Sequence, residues 1–135
     1  MTNEELILKK LAQIDTCVSQ IRRLIDPAMI ETDLVIERFV EHTLQIAIQA
    51  AMDVASHIVS DDRLGEPSSN RELFSLLAKA DWVSDEMVAD LGNMASFRNL
   101  LVHGYAEIDP SIVRSIVETK LEDLERFADA VRTRL

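Results

Sequence analysis

Four residues whose side chains could take part in catalysis lie close together in the sequence near position 100: Arg98, Asn99, His103 and Tyr105. A guanidinium keeps its charge and can hold a phosphate, and an imidazole can accept or donate a proton near neutral pH. Such a pair could take the proton of a ribose 2′-OH and stabilise the charge that grows on a scissile phosphate. Asn99 could orient the imidazole or the phosphate. The chemistry indicated is RNA cleavage that leaves a 2′,3′-cyclic phosphate and needs no metal.

The segment that carries these residues is predicted to be a helix that begins after Ser84 and ends at Gly104. Arg98 falls in the middle of its apolar face, where a fixed charge needs an acidic partner, a polar pocket or a wet interface. Asn99 and His103 are four residues apart and share one side. Tyr105 follows the helix end and is expected on a loop. The apolar positions are Leu91, Met94, Ala95, Leu101 and Val102.

The preceding helix, predicted from Glu31 or Thr32 to Val59, offers polar partners for this segment. Beside its apolar face runs a polar stripe: His42, Gln49, Asp53 and His57. Asp53 is the acidic partner that Arg98 needs. Asp53 and His57 have the spacing of two metal ligands, but a third ligand is not evident, so we expect no metal site and an ordinary role for both histidines.

The rest of the chain also has helical periodicity. We expect a helix over residues 3–26, a short one from Ser69 or Asn70 to Ala80, and a last one that starts at Asp109–Pro110. Trp82 and Val83 are expected in the core. The expected core face of the last helix is Ile112, Ile116, Leu121, Leu124 and Phe127. The sequence therefore predicts an all-α, four- or five-helix up-and-down bundle.

Composition bounds the kind of protein. The 135 residues predict one domain, 1–135, and 47% apolar residues with 3 Gly and 3 Pro favour a helical fold over disorder. A formal charge of -10 disfavours broad binding to a phosphate backbone, so an RNA contact would need a local basic spot. Cys17 is the lone cysteine, the first residues are unlike a signal peptide, and no apolar run approaches ~20 residues. We expect a cytoplasmic protein with no membrane partner.

The pattern of Arg98, four residues, His103, one residue and Tyr105 resembles that of the HepT-like branch of the HEPN ribonucleases. Two longer stretches resemble the same family, residues 52–61 (MDVASHIVSD) and residues 71–109 around the motif. The resemblance covers nearly the whole chain. It therefore implies the HEPN-type bundle.

The resemblance also implies a function. The chain would be a ribonuclease toxin of a type VII-like toxin–antitoxin pair, with Arg98 and His103 catalytic and tRNA among the candidate substrates. Two copies of the motif would face each other in a homodimer, on which higher oligomers could be built. The partner would be an MntA-type minimal nucleotidyltransferase antitoxin that attaches adenylate to Tyr105. No cofactor is implied. Asn99 and Asp53 are expected to support the site, Asp53 on geometry alone.

A different class of function fits the same residues. In a non-catalytic dimerisation or interaction module that partners a nucleotidyltransferase, Arg98 and His103 would form a buried polar network and the acidic surface would bind proteins. The net charge favours this alternative, whereas the coincidence of the four motif residues favours the enzyme. A ferritin-like metal bundle is excluded because paired Glu-x-x-His motifs are absent from the sequence.

Overall fold

The computed structural model describes residues 3–104 and 108–135, and these ranges form six α-helices and one 3-10 helix with no strand. The 3-10 helix is Pro27–Met29. The α-helices are α1 Glu4–Leu24, α2 Leu34–Asp61, α3 Asn70–Lys79, α4 Asp85–His103, α5 Pro110–Thr119 and α6 Leu121–Arg134. The predicted all-α bundle is confirmed. In the part of the chain that is described, no helix is both long and apolar enough to cross a membrane.

Helix α2 is the centre of the bundle, because it contacts each of the other five α-helices. Small buried residues in its middle, Ala47, Ala50 and Ala51, let neighbouring helices approach closely. The helix begins later than predicted, at Leu34, because the Asp33 carboxylate accepts hydrogen bonds from the first backbone N–H groups and so fixes the start. The core face that the helical spacing predicts begins at Ile36, which is half-buried, and its other members are buried: Val40, Thr43, Ala47, Ala50, Val54 and Ile58.

The last predicted helix is divided in two, which raises the number of α-helices above the expected four or five. A turn at Lys120, whose N–H bonds to the Ile116 carbonyl at 2.8 Å, separates α5 from α6. The predicted core face is only partly observed over α5: Ile116 is half-buried against the core, but Ile112 is exposed, and the buried positions are Val113 and Val117. Both stripes of α5 are apolar, so hydrophobicity alone could not choose between them. Along α6, Leu121, Leu124 and Phe127 are buried as expected.

Helices α1 and α6 close the bundle on the other side of α2. Arg22 on α1 pairs with Glu125 on α6 at 2.6 Å, and Arg132 on α6 pairs with Asp15 on α1. The seam of α1 is buried as its spacing predicts: Ile7, Leu11, Ile14, Val18 and Ile21. Cys17 is also buried on this helix, and burial raises the pKa of its thiol. This thiol is therefore part of the core.

Candidate active site

Helix α4 positions the motif residues. Its apolar stripe buries Leu91, Met94, Ala95 and Leu101 against the bundle, so neighbouring positions on the helix are fixed as well. The helix ends at His103, and the N–H of Gly104 closes the last turn on the carbonyl of Leu100 at 2.8 Å. Gly104 has φ -148°, an extended conformation, so the predicted helix end is correct but does not depend on glycine's freedom.

Arg98 lies half-buried beside that apolar stripe, as the sequence predicts. One terminal nitrogen of its guanidinium donates a hydrogen bond to Asn99 Oδ1 at 3.1 Å. The Nε atom is buried and has no hydrogen-bond partner. Among the described residues no carboxylate lies within 4.0 Å of Arg98. Within the described part of the chain, the fold thus holds a permanent cation in place without an anion to neutralise it.

Arg98 lines a cleft of about 220 Å³ between α1, α2 and α4, which we call the Arg98 cleft. Its polar lining consists of Lys10, Gln13, Gln45, Gln49, Asp53 and Arg98. Ile46 and Ala50 complete the lining, so amides and charged groups predominate and suit a polar ligand better than an apolar one.

Asp53 lies in this cleft but does not form the predicted ion pair with Arg98. Its Oδ2 accepts from Lys10 Nζ at 3.0 Å and its Oδ1 accepts from the Gln49 amide at 2.8 Å. Lys10 projects from α1 and Gln49 is one turn before Asp53 on the same helix, so both reach the carboxylate more easily than Arg98 does. Asp53 and Arg98 therefore line the same cleft but form no ion pair with each other.

His103 and Asn99 occupy the outer face of α4. Both are exposed, and His103 is not among the residues that line the Arg98 cleft. Five residues along a helix turn a side chain well away from its starting direction, which explains the separation. Within one chain, the imidazole therefore does not line the cleft that contains the cation. Tyr105, the expected acceptor of adenylate, lies outside the described residues.

The remaining polar residues of the sequence analysis stand apart from the cleft. His42 is exposed and His57 is half-buried, and neither lines it. Within the described ranges no three His, Cys, Asp or Glu side chains are grouped so that they could hold a metal ion. Trp82 is buried as expected and packs beneath Arg134, whose guanidinium carbon lies 4.9 Å from the ring centroid. It offers no surface for stacking a base.

Lys10 is a residue of the site that the sequence analysis missed. The spacing of apolar residues on its helix indicates core packing only and assigns no role to Lys10. The available signal was its position beside Leu11, a seam residue, which places Lys10 at the edge where α1 meets α2. Lysines at such edges lay their stems along a neighbouring helix and present the ammonium nearby.

Larger hollows lie elsewhere among the described residues and are lined by no motif residue. A groove of about 670 Å³ runs between α3 and α4 and is lined by side chains of both charges, including Arg71, Glu72 and Lys79. Another, of about 350 Å³, lies near Asp90 and Asp123 between α4 and α6. Volume alone would favour these grooves, but none of them is lined by a residue of the Arg98–Tyr105 motif.

Comparison with known proteins places this geometry in a family. The sequence profile of the family described as "Ribonuclease HepT-like" matches residues 14–131. The chain is 33% identical over 129 residues to the mRNA nuclease HepT of Shewanella oneidensis, covering 95% of this chain and 97% of that protein. It is 30% identical over 95 residues to the tRNA nuclease HepT of Aphanizomenon flos-aquae, covering 70% of this chain and 65% of that one.

A solved structure agrees with these sequence matches. The tri-AMPylated HEPN toxin of Shewanella oneidensis, determined in complex with its MNT antitoxin, superimposes with a TM-score of 0.87 at 32% identity. The superposition covers 98% of this chain and 99% of that toxin. The chain belongs to the HepT-like ribonuclease family.

Proposed function

We propose that this chain is the endoribonuclease toxin of a toxin–antitoxin pair, and that Arg98 and His103 carry out metal-independent RNA cleavage. The observation that carries the proposal is the state of Arg98, a half-buried guanidinium with no carboxylate partner among the described residues. Burying such a charge is costly unless an anion compensates it. The phosphate of an RNA backbone is an anion of the right geometry for a guanidinium.

The proposed reaction is an internal transfer of the phosphodiester. His103 removes the proton of the ribose 2′-OH, and the resulting oxygen forms a bond to phosphorus. The bond from phosphorus to the 5′ oxygen breaks, and that oxygen takes a proton from an imidazolium or from water. The products are a 2′,3′-cyclic phosphate and a free 5′-OH. Arg98 stabilises the charge on the non-bridging oxygens, and Asn99 holds one end of the guanidinium.

The separation of Arg98 and His103 on one chain supports a site that is built from two copies. The imidazole on the outer face of α4 could then act on a phosphate held by the motif of the facing subunit. Leu100, 60% exposed between Asn99 and His103, gives that face the apolar contact that an interface needs. We therefore propose a twofold homodimer with the motif segments near the axis.

Control by an antitoxin completes the proposal. The similar toxin of known structure is AMPylated and bound to an MNT antitoxin. Tyr105 is the one tyrosine of this chain, so adenylylation of tyrosine would have a single possible acceptor here. An adenylate attached two residues beyond His103 would add a negative phosphate next to the site, where it competes with RNA for Arg98.

The central test is cleavage of a labelled RNA by the purified chain and by two variants, Arg98→Ala and His103→Ala. Each is expected to lower kcat by at least about 10²-fold, because each removes a group that acts in the transition state. His42→Gln, which changes another exposed histidine, is the matched control and should cleave as the wild type does. Activity should persist in excess EDTA, and end analysis should find the cyclic phosphate.

Other results would reject the mechanism. Full activity of the His103→Ala chain would remove the proposed base, and loss of wild-type activity on chelation would show that a metal is required. If the wild-type chain binds the antitoxin but cleaves no RNA, the interaction module becomes the better account. The net charge of -10 is the observation that favours this second candidate, a non-catalytic interaction module.

A further inference from the structure

The Arg98 cleft contains a second cation, Lys10, which the proposed mechanism does not use. It comes from α1, while the other polar groups of the cleft come from α2 and α4, apart from Gln13 on the next turn of α1. The Lys10 side chain is 29% exposed, so its ammonium lies at the rim of the cleft rather than in the core. A dissolved anion can therefore reach it.

Asp53 fixes the position of that ammonium. One carboxylate oxygen accepts from Lys10 at 3.0 Å and the other accepts from Gln49 at 2.8 Å, so both oxygens are engaged within the cleft. A lysine in solution samples many rotamers, and a restrained one loses less entropy when it binds a ligand. The half-exposed ion pair itself contributes little to stability. Its effect is to hold a cation beside Arg98.

The hydrogen-bonding capacity of the cleft is not used up. An ammonium has three N–H donors, and Asp53 is the one partner that Lys10 has among the described residues. Arg98 has a buried Nε donor, and Gln49 a buried Oε1 acceptor, that lack partners. The remaining N–H donors of Lys10, at the rim of the cleft, favour a ligand that brings acceptors, as a phosphate does.

The charge of the cleft is opposite to that of the whole chain. Two cations, Lys10 and Arg98, and one carboxylate, Asp53, line it, and its remaining lining residues are uncharged. A net positive cleft on a chain of charge -10 is the local basic spot that RNA binding requires here. The ion pair with Asp53 leaves the positive charge in excess instead of cancelling it.

We propose that the Arg98 cleft is a nucleotide subsite in which Lys10 binds a backbone phosphate of single-stranded RNA next to the one held by Arg98. Gln13 also lines the cleft, and its amide could bond to the ribose or base between the two phosphates. This inference rests on the proposed ribonuclease function and assigns to α1 a part in substrate binding. Lys10 is a binding residue, and the proton transfers take place without it.

The test measures binding of a labelled oligoribonucleotide to the full chain carrying His103→Ala, which prevents cleavage during the measurement. In that background Lys10→Met keeps the aliphatic stem and removes the charge. Fluorescence anisotropy should give a Kd raised about tenfold, and the slope of log K against log salt should fall by about 0.7, the value of one phosphate contact on a single strand. Lys10→Arg should restore both quantities.

Lys9→Met is the matched control, because it removes the same charge from the neighbouring, exposed position that does not line the cleft. It should leave the Kd within about twofold and the salt slope unchanged. In the cleaving chain, Lys10→Met should raise KM by a similar factor with little change in kcat, a split that a purely structural role would not produce. Thermal unfolding of each variant shows whether the fold is intact.

The outcomes separate this inference from the proposed function. If the wild type cleaves RNA but Lys10→Met and Lys9→Met behave alike, the subsite is wrong and the function stands. If Lys10→Met lowers kcat at constant KM, Lys10 acts in catalysis and the binding role is overturned. If the wild type neither binds nor cleaves RNA, the proposed function fails and the subsite fails with it.

Discussion

At the scale of single residues, Arg98 and Asp53 show how the site differs from a stabilising ion-pair network. The cation nearest to Asp53 is Lys10, and Arg98 bonds to the neutral amide of Asn99. A carboxylate bound to Arg98 would neutralise the group that we propose binds a phosphate. The arrangement therefore leaves the guanidinium free to act while Asp53 orders the lysine beside it.

Tyr105→Phe tests the control mechanism at this scale. Phenylalanine keeps the ring and removes the hydroxyl that would accept adenylate, so the variant should cleave RNA within about twofold of the wild-type rate. It should also escape inactivation by the antitoxin and ATP. Intact-mass measurement after incubation with both should show added adenylate on the wild type and none on Tyr105→Phe. An increment that survives the substitution would place the acceptor on another residue.

At the scale of elements, most helices follow from the sequence because period, caps and breaks agree. The seam of α1, the core face of α2 and the end of α4 at Gly104 were all predicted from spacing and local signals. Two things could not be predicted in this way. The apolar stripe that α5 buries depends on which side faces α2 and α6, and the partner of Asp53 depends on how closely α1 approaches. Both are properties of helix packing, which cannot be derived from a single sequence.

The same limit applies to the motif residues. The sequence correctly placed Arg98 at the apolar face of its helix, because helical phase is a local property. It could not place the cleft, since the Lys10 and Gln13 walls come from a helix almost ninety residues earlier in the chain. The sequence paired Asp53 with Arg98 because their charges are opposite. In the fold, Asp53 pairs with Lys10 because the Lys10 side chain extends to the carboxylate.

A buried carboxylate on α6 gives a test of packing that does not involve the site. Asp123 is 7% exposed and one of its oxygens has no hydrogen-bond partner. Burial raises the pKa of its carboxyl, and the nearby charge of Asp90 raises it further. The protonated form is thus favoured in the folded state. The resulting stabilisation is complete below the unfolded pKa and is lost as pH rises through the folded pKa.

Asp123→Asn cannot titrate, so its free energy of unfolding should rise relative to that of the wild type as pH increases from about 4 to about 7. Urea unfolding of both proteins across this range measures the difference. A difference that stays constant with pH would show that the carboxyl has the same proton affinity in the folded and unfolded chains.

At the scale of the whole molecule, the proposed dimer reconciles an acidic protein with an RNA substrate. Repulsion between two chains of charge -10 must be offset by contacts where they meet. The outer face of α4 offers such a contact, because Leu100 is exposed there beside Asn99 and His103. Assembly would bring two Arg98 clefts near one axis and concentrate their positive charge.

Leu100→Asp tests this assembly. A carboxylate at a self-complementary interface faces the same carboxylate of the partner subunit and is repelled by it. The variant should therefore sediment as a folded monomer at micromolar concentration and lose RNA cleavage. The wild type should sediment as a dimer. Leu24→Asp is the matched control, because Leu24 is 62% exposed at the end of α1 and should leave the dimer intact. A dimeric Leu100→Asp chain would move the interface away from the outer face of α4.

The packing of Arg134 over Trp82 has a practical consequence for all these measurements. The guanidinium also donates a hydrogen bond to the Ala80 carbonyl at 2.9 Å, so the end of α6 covers the connection between α3 and α4. Trp82 is the one tryptophan of the chain, and its fluorescence therefore reports on a single place. Release of the last turn of α6 would expose the indole to water and shift its emission. The protein thus carries an optical probe of the contact between the end of α6 and the α3–α4 connection.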